Sequence, residues 1–369
     1  MSTVTVTDHS EQRQPDSRGK PEQGWLEVPC WCCQHRTARR GRSLFMPGEW
    51  SASEQDRSAY HTVIRTLGYL PPDQLFDTLR TLCLNETLLL QPQRAALIDQ
   101  AARRGIAEFP DFLAAMDVEA FVAAHTQFKL TRGVHWVYTT ACKSVPDLAD
   151  QIVAYEGREK VQRALAAGPV ILAAFHFGPS EFLVGGVASR VAPVTVVVSD
   201  QERRPTRANR WVMRSAASAD IESVQNGSIG VLLRCLRALR AGRAVMIFPE
   251  LSFSTGPEPR LALSFGGRTI NVPIGIGVLA AKSGATVLPC HVESPAPGRY
   301  RYVFGDPIGP GPGLLAELFG YCEALIKSGL APEWEFWPHV DRLLHVPPDW
   351  PDHLVMDSLP AQYVKSGGR

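Results

Sequence analysis

The sequence predicts an α/β fold: a mixed, mostly parallel sheet flanked by helices, with a helical N-terminal region. Three observations carry this. From about residue 51 to residue 168, apolar residues recur at helical spacing, as in Leu75, Leu79 and Leu82, or Phe109, Phe112, Leu113 and Met116. After Gly168 the pattern changes to short, near-continuous apolar runs alternating with helical stretches, as strands buried on both faces require. The 369 residues, 45% hydrophobic and 20% charged, supply enough apolar surface for a sizeable core and exclude a fibrous or wholly disordered chain.

Taken in order, residues 1–48 read as an irregular or disordered tail, since Met1 to Gly24 offer almost nothing to bury. Within this tail, Cys30-Trp31-Cys32-Cys33-Gln34-His35 crowds its ligand types together without the spaced pairs that wrap a tetrahedral zinc, so no metal is expected. Arg36, Arg39, Arg40 and Arg42, close behind Trp31, suit a solvated loop, and equally an anionic membrane surface or an acidic partner. Residues 49–160 form the helical region, with Asn85, Asp111, Asp117 and Ser144 as expected caps. Residues 161–345 form the α/β domain. Its expected strands are Val170 to Phe175, Pro193 to Val198, Ala244 to Phe248, Thr286 to His291 and Tyr300 to Phe304. Its expected helices are Ser180 to Ser189, Pro205 to Ser215, Gly230 to Ala241 and Ile274 to Ser283. Residues 346–369 complete the chain as a C-terminal tail.

A net charge of +1 gives no general case for a nucleic-acid partner. Phe182 to Val198, the most apolar stretch, is broken by Arg190 and Pro193 and falls short of the roughly 18 to 20 residues a spanning helix needs. Eight cysteines without an apolar leader suggest a reduced setting. The expected location is cytoplasmic, with peripheral attachment to the inner face of the cell membrane left open.

The chemistry concentrates at Phe175-His176-Phe177-Gly178-Pro179-Ser180-Glu181. Five positions do not bring two side chains to one face of a continuous helix, so the chain must bend between His176 and Glu181. Gly178 permits a tight strand exit, and Pro179 suits the first turn of a helix. Glu181 would then lie in that first turn, within reach of one imidazole nitrogen, leaving the other free to take a proton. The plainer alternative is a glutamate capping its own helix beside a loop histidine. Glu250 ends another apolar strand, and in such sheets active sites gather where strands end.

Arg163 to Gly178, with His176 and Glu181 as a His-x4-Glu pair, resembles the catalytic segment of bacterial lipid A-type (late) acyltransferases, within the lysophospholipid acyltransferase superfamily. Leu239 to Glu250 resembles the second block of that family. Leu263 to Arg268, followed by Val272 to Ala280, resembles its Phe-Phe-Gly segment and the next helix. Pro332-Glu333-Trp334-Glu335-Phe336-Trp337-Pro338-His339-Val340-Asp341-Arg342 is similar to its C-terminal aromatic segment. The resemblance implies transfer of an acyl group from acyl-CoA or acyl-carrier protein to a hydroxyl or amine of a lipid or small-molecule acceptor. It assigns the base to His176 and its orienting acid to Glu181, and needs no cofactor. Gly178 and Glu250 are implied to bind substrate or support the site. Arg214 and Arg268 are further substrate-binding candidates, because guanidinium forks match phosphate and carboxylate. Pro179-Ser180 stands where the lipid A branch carries Asn-Trp, and Leu251 replaces the glycine of the glycerolipid Phe-Pro-Glu-Gly block. Soluble or carrier-bound acceptors and glycolipids therefore stand open beside a lipid A precursor.

Two other readings compete. Gly275-Ile276-Gly277-Val278-Leu279-Ala280, with Glu293 beyond it, fits a dinucleotide-binding fingerprint and hence a Rossmann-type oxidoreductase. Against it, Thr269 to Pro273 reads as a poor buried strand, because proline cannot donate to a ladder. The second is a non-catalytic lipid-binding protein on the acyltransferase scaffold.

Overall fold

The computed structural model describes residues 70–90, 92–143, 153–180, 190–198, 221–225, 230–250, 258–346, 351 and 354–357. The expected helix Pro205 to Ser215, nearly all of Ser180 to Ser189, the cap Ser144, and the segments Cys30 to His35 and Arg36 to Arg42 lie outside these residues.

Four helices open the described chain: α1 (Pro72–Leu90), α2 (Arg94–Ala107), α3 (Pro110–Ala115) and α4 (Val118–Lys143). Proline starts α1 and α3, where its missing N–H costs no intrahelical bond. Asp117 caps α4, its Oδ1 accepting from Ala120 N at 3.1 Å. Two other expected caps differ. Asn85 lies inside α1, whose following residues, Glu86 to Leu90, include strong helix formers that carry the helix onward. Asp111 belongs to the first turn of α3, after the extended residue Phe109, and its N–H donates to Gly266 O at 3.2 Å.

The α/β region follows as β1 (Val153–Glu156), α5 (Arg158–Ala167), β2 (Val170–Ala174), β3 (Val194–Val198), β4 (Ile221–Gln225), α6 (Val231–Arg240), β5 (Ala244–Ile247), β6 (Arg260–Phe265), β7 (Arg268–Pro273), α7 (Gly275–Ser283), β8 (Thr286–Ala296), β9 (Arg299–Phe304), α8 (Leu314–Leu325), α9 (Asp341–Leu344) and β10 (Val355–Met356). Seven strands form one sheet in the order β1-β9-β8-β2-β5-β3-β4. From β8 to β4 all neighbours are parallel; β9 turns back antiparallel to β8, and β1 follows β9 in parallel. The mixed, mostly parallel sheet is thus the one the apolar runs predict. β1 falls within the stretch expected to be helical, because a four-residue edge strand with half-buried Val153 and Tyr155 leaves too short an alternation to stand out.

Side chains alternate along β2 between two cores. Ile171, Ala173 and Phe175 face a layer holding parts of α2, α6, α7 and α8; Val170, Leu172 and Ala174 face a layer holding parts of α1, α4 and α5. The N-terminal helices therefore cover both faces of the sheet.

β10, β6 and β7 form a separate three-stranded sheet, with β6 and β7 antiparallel. Thr269 to Pro273, expected to be a poor strand, is nearly all of β7; Pro273 ends it on the sheet edge, where a missing donor is harmless. This arrangement removes the dinucleotide reading. The helix with Gly275 and Gly277 follows a strand of the small sheet, whereas the fingerprint needs a strand of the parallel sheet before it. Glu293 is held by His291 Nε2 at 3.0 Å and by Arg301 Nε at 2.7 Å. No helix among the described residues is long and apolar enough to cross a membrane.

Candidate active site

Strand order builds the site. β2 and β5 are parallel neighbours with Ala173 opposite Ile247. His176 lies three residues beyond the first and Glu250 three beyond the second, so the two chains leave the same end of the sheet and present them level. Both are buried, His176 at 7% exposure and Glu250 at 1%. Glu250 grips its neighbour twice: Oε1 accepts from His176 N at 2.8 Å, and Oε2 lies 3.3 Å from Nδ1. With the proton on Nδ1, this contact fixes the tautomer and ring orientation. No described residue hydrogen-bonds Nε2. The Phe248 ring, 4.2 Å from the imidazole between centroids and tilted by 33°, walls one side.

A strap from the C-terminal aromatic segment closes over this pair. Phe177 and Trp334 form an antiparallel bridge, Gly178 N donates to Glu333 O at 3.0 Å, and Glu335 N donates to His176 O at 2.9 Å. Trp334, fully buried, points its Nε1 at Glu250 Oε1 at 3.3 Å. The carboxylate thus meets three donors from two distant parts of the chain, an arrangement that rigidly positions it. The strap is fixed in turn to α4: Arg132 forms a buried ion pair with Glu335, and Pro332 O lies 2.8 Å from His125 Nδ1.

Gly178 is a glycine for two reasons. Its φ is +58°, and a Cβ there would sit 2.5 Å from Val292 O and 3.1 Å from Glu333 Oε2. The turn carrying His176 is therefore pressed onto β8.

The electrostatics follow burial. Desolvation, then Glu293, raises the Glu333 carboxyl to about 7, and its Oε2 has no hydrogen-bond partner. His339 is lowered to about 3, first by burial and then by Arg342, Lys129 and His176. Burial, then Lys129, lowers His125 to about 3.

Of the residues singled out from the sequence, the structure brings His176, Gly178 and Glu250 together. Glu181 and Arg214 lie outside the described residues. Arg268 stands apart on β7, exposed, its Nη2 2.6 Å from Glu108 Oε2 and its Nε donating to Glu108 O. Sequence reasoning missed Trp334, Glu335 and Arg132. The run of three aromatics in Trp334, Phe336 and Trp337 was the available signal for the strap; nothing local marks Arg132.

No curated protein matches the chain. Residues 133–305 match the model of a family described as bacterial lipid A biosynthesis acyltransferase. The match runs from within α4 to the residue after β9, takes in His176, Gly178 and Glu250, and supports the acyltransferase family assignment that the motifs suggest.

Proposed function

We propose that the chain moves a fatty acyl group from acyl-CoA or acyl-carrier protein to a hydroxyl or amine of a lipid or glycolipid acceptor, with His176 as general base and Glu250 as its orienting carboxylate. The single observation behind this reading is the His176 Nδ1 to Glu250 Oε2 contact, backed by the second grip on His176 N. Nε2 takes the proton of the acceptor as its oxygen or nitrogen attacks the thioester carbonyl carbon. Glu250 stabilises the imidazolium that forms. The carbon–sulfur bond of the tetrahedral intermediate then breaks, and the departing thiolate recovers the proton from Nε2. The acyl group passes directly between donor and acceptor, with no acyl-enzyme.

In this proposal Glu250 occupies the place at Nδ1 that sequence spacing gives to Glu181. Family membership supports an acyl donor and a lipid acceptor in general; the thioester donor follows from the resemblance of the motif. The test is mass-spectrometric detection of acylated product from a panel of acyl-CoA and acyl-carrier donors with hydroxyl and amine acceptors. His176→Ala is expected to cost about 10²- to 10⁴-fold in turnover. Product formation unchanged in His176→Ala overturns the proposal, and Glu181→Ala alongside measures what the second carboxylate contributes.

A further inference from the structure

Helix α6 presents exposed leucines and arginines beside its buried face. Its sequence is Val-Leu-Leu-Arg-Cys-Leu-Arg-Ala-Leu-Arg. Cys235, Ala238 and Leu239 face the core, whereas Leu232 and Leu233 stand out at 36% and 59% exposure, and Arg234, Arg237 and Arg240 are exposed with them. Two features make this an unusual helix start. An N-terminal turn in water favours Asp or Glu, yet this one has no acidic residue, two exposed leucines and then an arginine. The first turn holds only apolar and arginine side chains, and the helix's own sequence contains no acidic residue beside its three arginines, although the chain as a whole is nearly neutral.

Topology sets where this turn lies. β4 and β5 are both parallel to β3, and α6 connects the end of β4 to the start of β5. The N-terminus of α6 is therefore at the end of the sheet where strands finish, the end from which His176 and Glu250 emerge. Leu233, Arg237 and Arg240 lie on one helix face, and at 1.5 Å per residue the arginines follow the leucine by about 6 and about 10 Å. That layering, apolar tip first and cationic ladder behind it, matches acyl chains below a phosphate layer.

We infer that the first turn of α6, with Arg234, Arg237 and Arg240 behind it, docks the protein on an anionic lipid bilayer, with the active-site end of the sheet turned toward the lipid. The inference gains its purpose from the lipid acceptor proposed above. Its test needs no catalysis, so the two can fail separately.

The experiment is flotation of the full chain with vesicles of phosphatidylglycerol and phosphatidylcholine, compared with phosphatidylcholine alone. Binding is expected to need the anionic lipid and to weaken with salt. Arg237→Gln/Arg240→Gln should lower partitioning by about thirty-fold, from two surface charges near anionic lipid. Leu232→Gln/Leu233→Gln should lower it by about ten-fold through lost apolar insertion. Both pairs are exposed, so unchanged thermal melting should show that folding is intact. The inference is overturned if the parent chain does not float with anionic vesicles, or if both variants float as well as the parent. Acyl-carrier protein binding that depends on these residues, without vesicle binding, also overturns it and assigns the surface to the donor.

Discussion

Replacing Arg132 by leucine strands Glu335 in the interior. Both side chains of this pair are nearly inaccessible, at 5% and 3%, and Glu335 Oε1 has no hydrogen-bond partner to share the loss. Removing one partner of a buried pair costs about 3–5 kcal/mol, chiefly because the remaining charge stays desolvated. Replacing both with apolar groups of similar size relieves that penalty, so Arg132→Leu/Glu335→Leu should lie well above the sum of its single variants. The expected coupling is about 2–3 kcal/mol, at the upper end for contacting residues. Urea unfolding of the wild type, both single variants and the double variant measures it through the shift in midpoint at constant slope. The consequence reaches the site, because the same Glu335 donates its N–H to His176 O. Arg132→Leu should therefore lower turnover as well as stability. A single-variant cost below about 1 kcal/mol, with additive effects in the double, would refute the claim that a buried ion pair anchors the strap.

Three further outcomes are expected. Gly178→Ala forces a Cβ to 2.5 Å from Val292 O at a left-handed φ, so it should destabilise the fold by at least about 1–2 kcal/mol and displace the His176 turn; wild-type melting and turnover in the variant would contradict this. Glu333 is held at about 7 by burial and Glu293, above the unfolded value near 4.3, so its contribution to stability is full below about pH 4 and lost as pH rises through 7. Glu333→Gln should thus gain on the wild type by up to about 3 kcal/mol between pH 4 and pH 8, and urea midpoints that differ by the same amount at every pH would oppose it. His339 has the reverse sign: lowered to about 3 by burial and then by Arg342, Lys129 and His176, it contributes stability above about pH 6.5 that is lost as pH falls toward 3. His339→Gln should flatten the acid limb of the stability profile, measured by thermal melting from pH 7 to pH 4; an unchanged limb would show that this imidazole is not buried neutral.

The sheet was readable because its central strands are buried on both faces. Val170 to Phe175 and Ala244 to Phe248 need apolar side chains at every position, and such runs survive in the sequence as visible blocks. His176 and Glu250 follow the ends of these two strands. The partnership between those two residues was not readable, because it depends on β2 lying beside β5, and 74 positions separate the pair. Local spacing points to Glu181, which lies outside the described residues. Trp334 illustrates the same limit: its aromatic neighbourhood stands out, but its bond to Glu250 spans 84 positions and follows from the docking of the strap. At α1, propensity in Glu86 to Leu90 outweighed the capping tendency of Asn85. Arg268 was singled out by residue type alone; its guanidinium meets Glu108, the residue after α2, a contact 160 positions away that no local pattern shows.

The most direct measurement of the central claim is the rate of acyl transfer by Glu250→Gln across pH, with substrates established on the wild type. Glutamine keeps the size of the side chain and a hydrogen-bond acceptor, but removes the charge that would stabilise an imidazolium at His176. The account predicts a fall in kcat of about 10²-fold or more with KM little changed, in a variant that melts within a few degrees of the wild type. Wild-type kcat in a folded Glu250→Gln variant would contradict it.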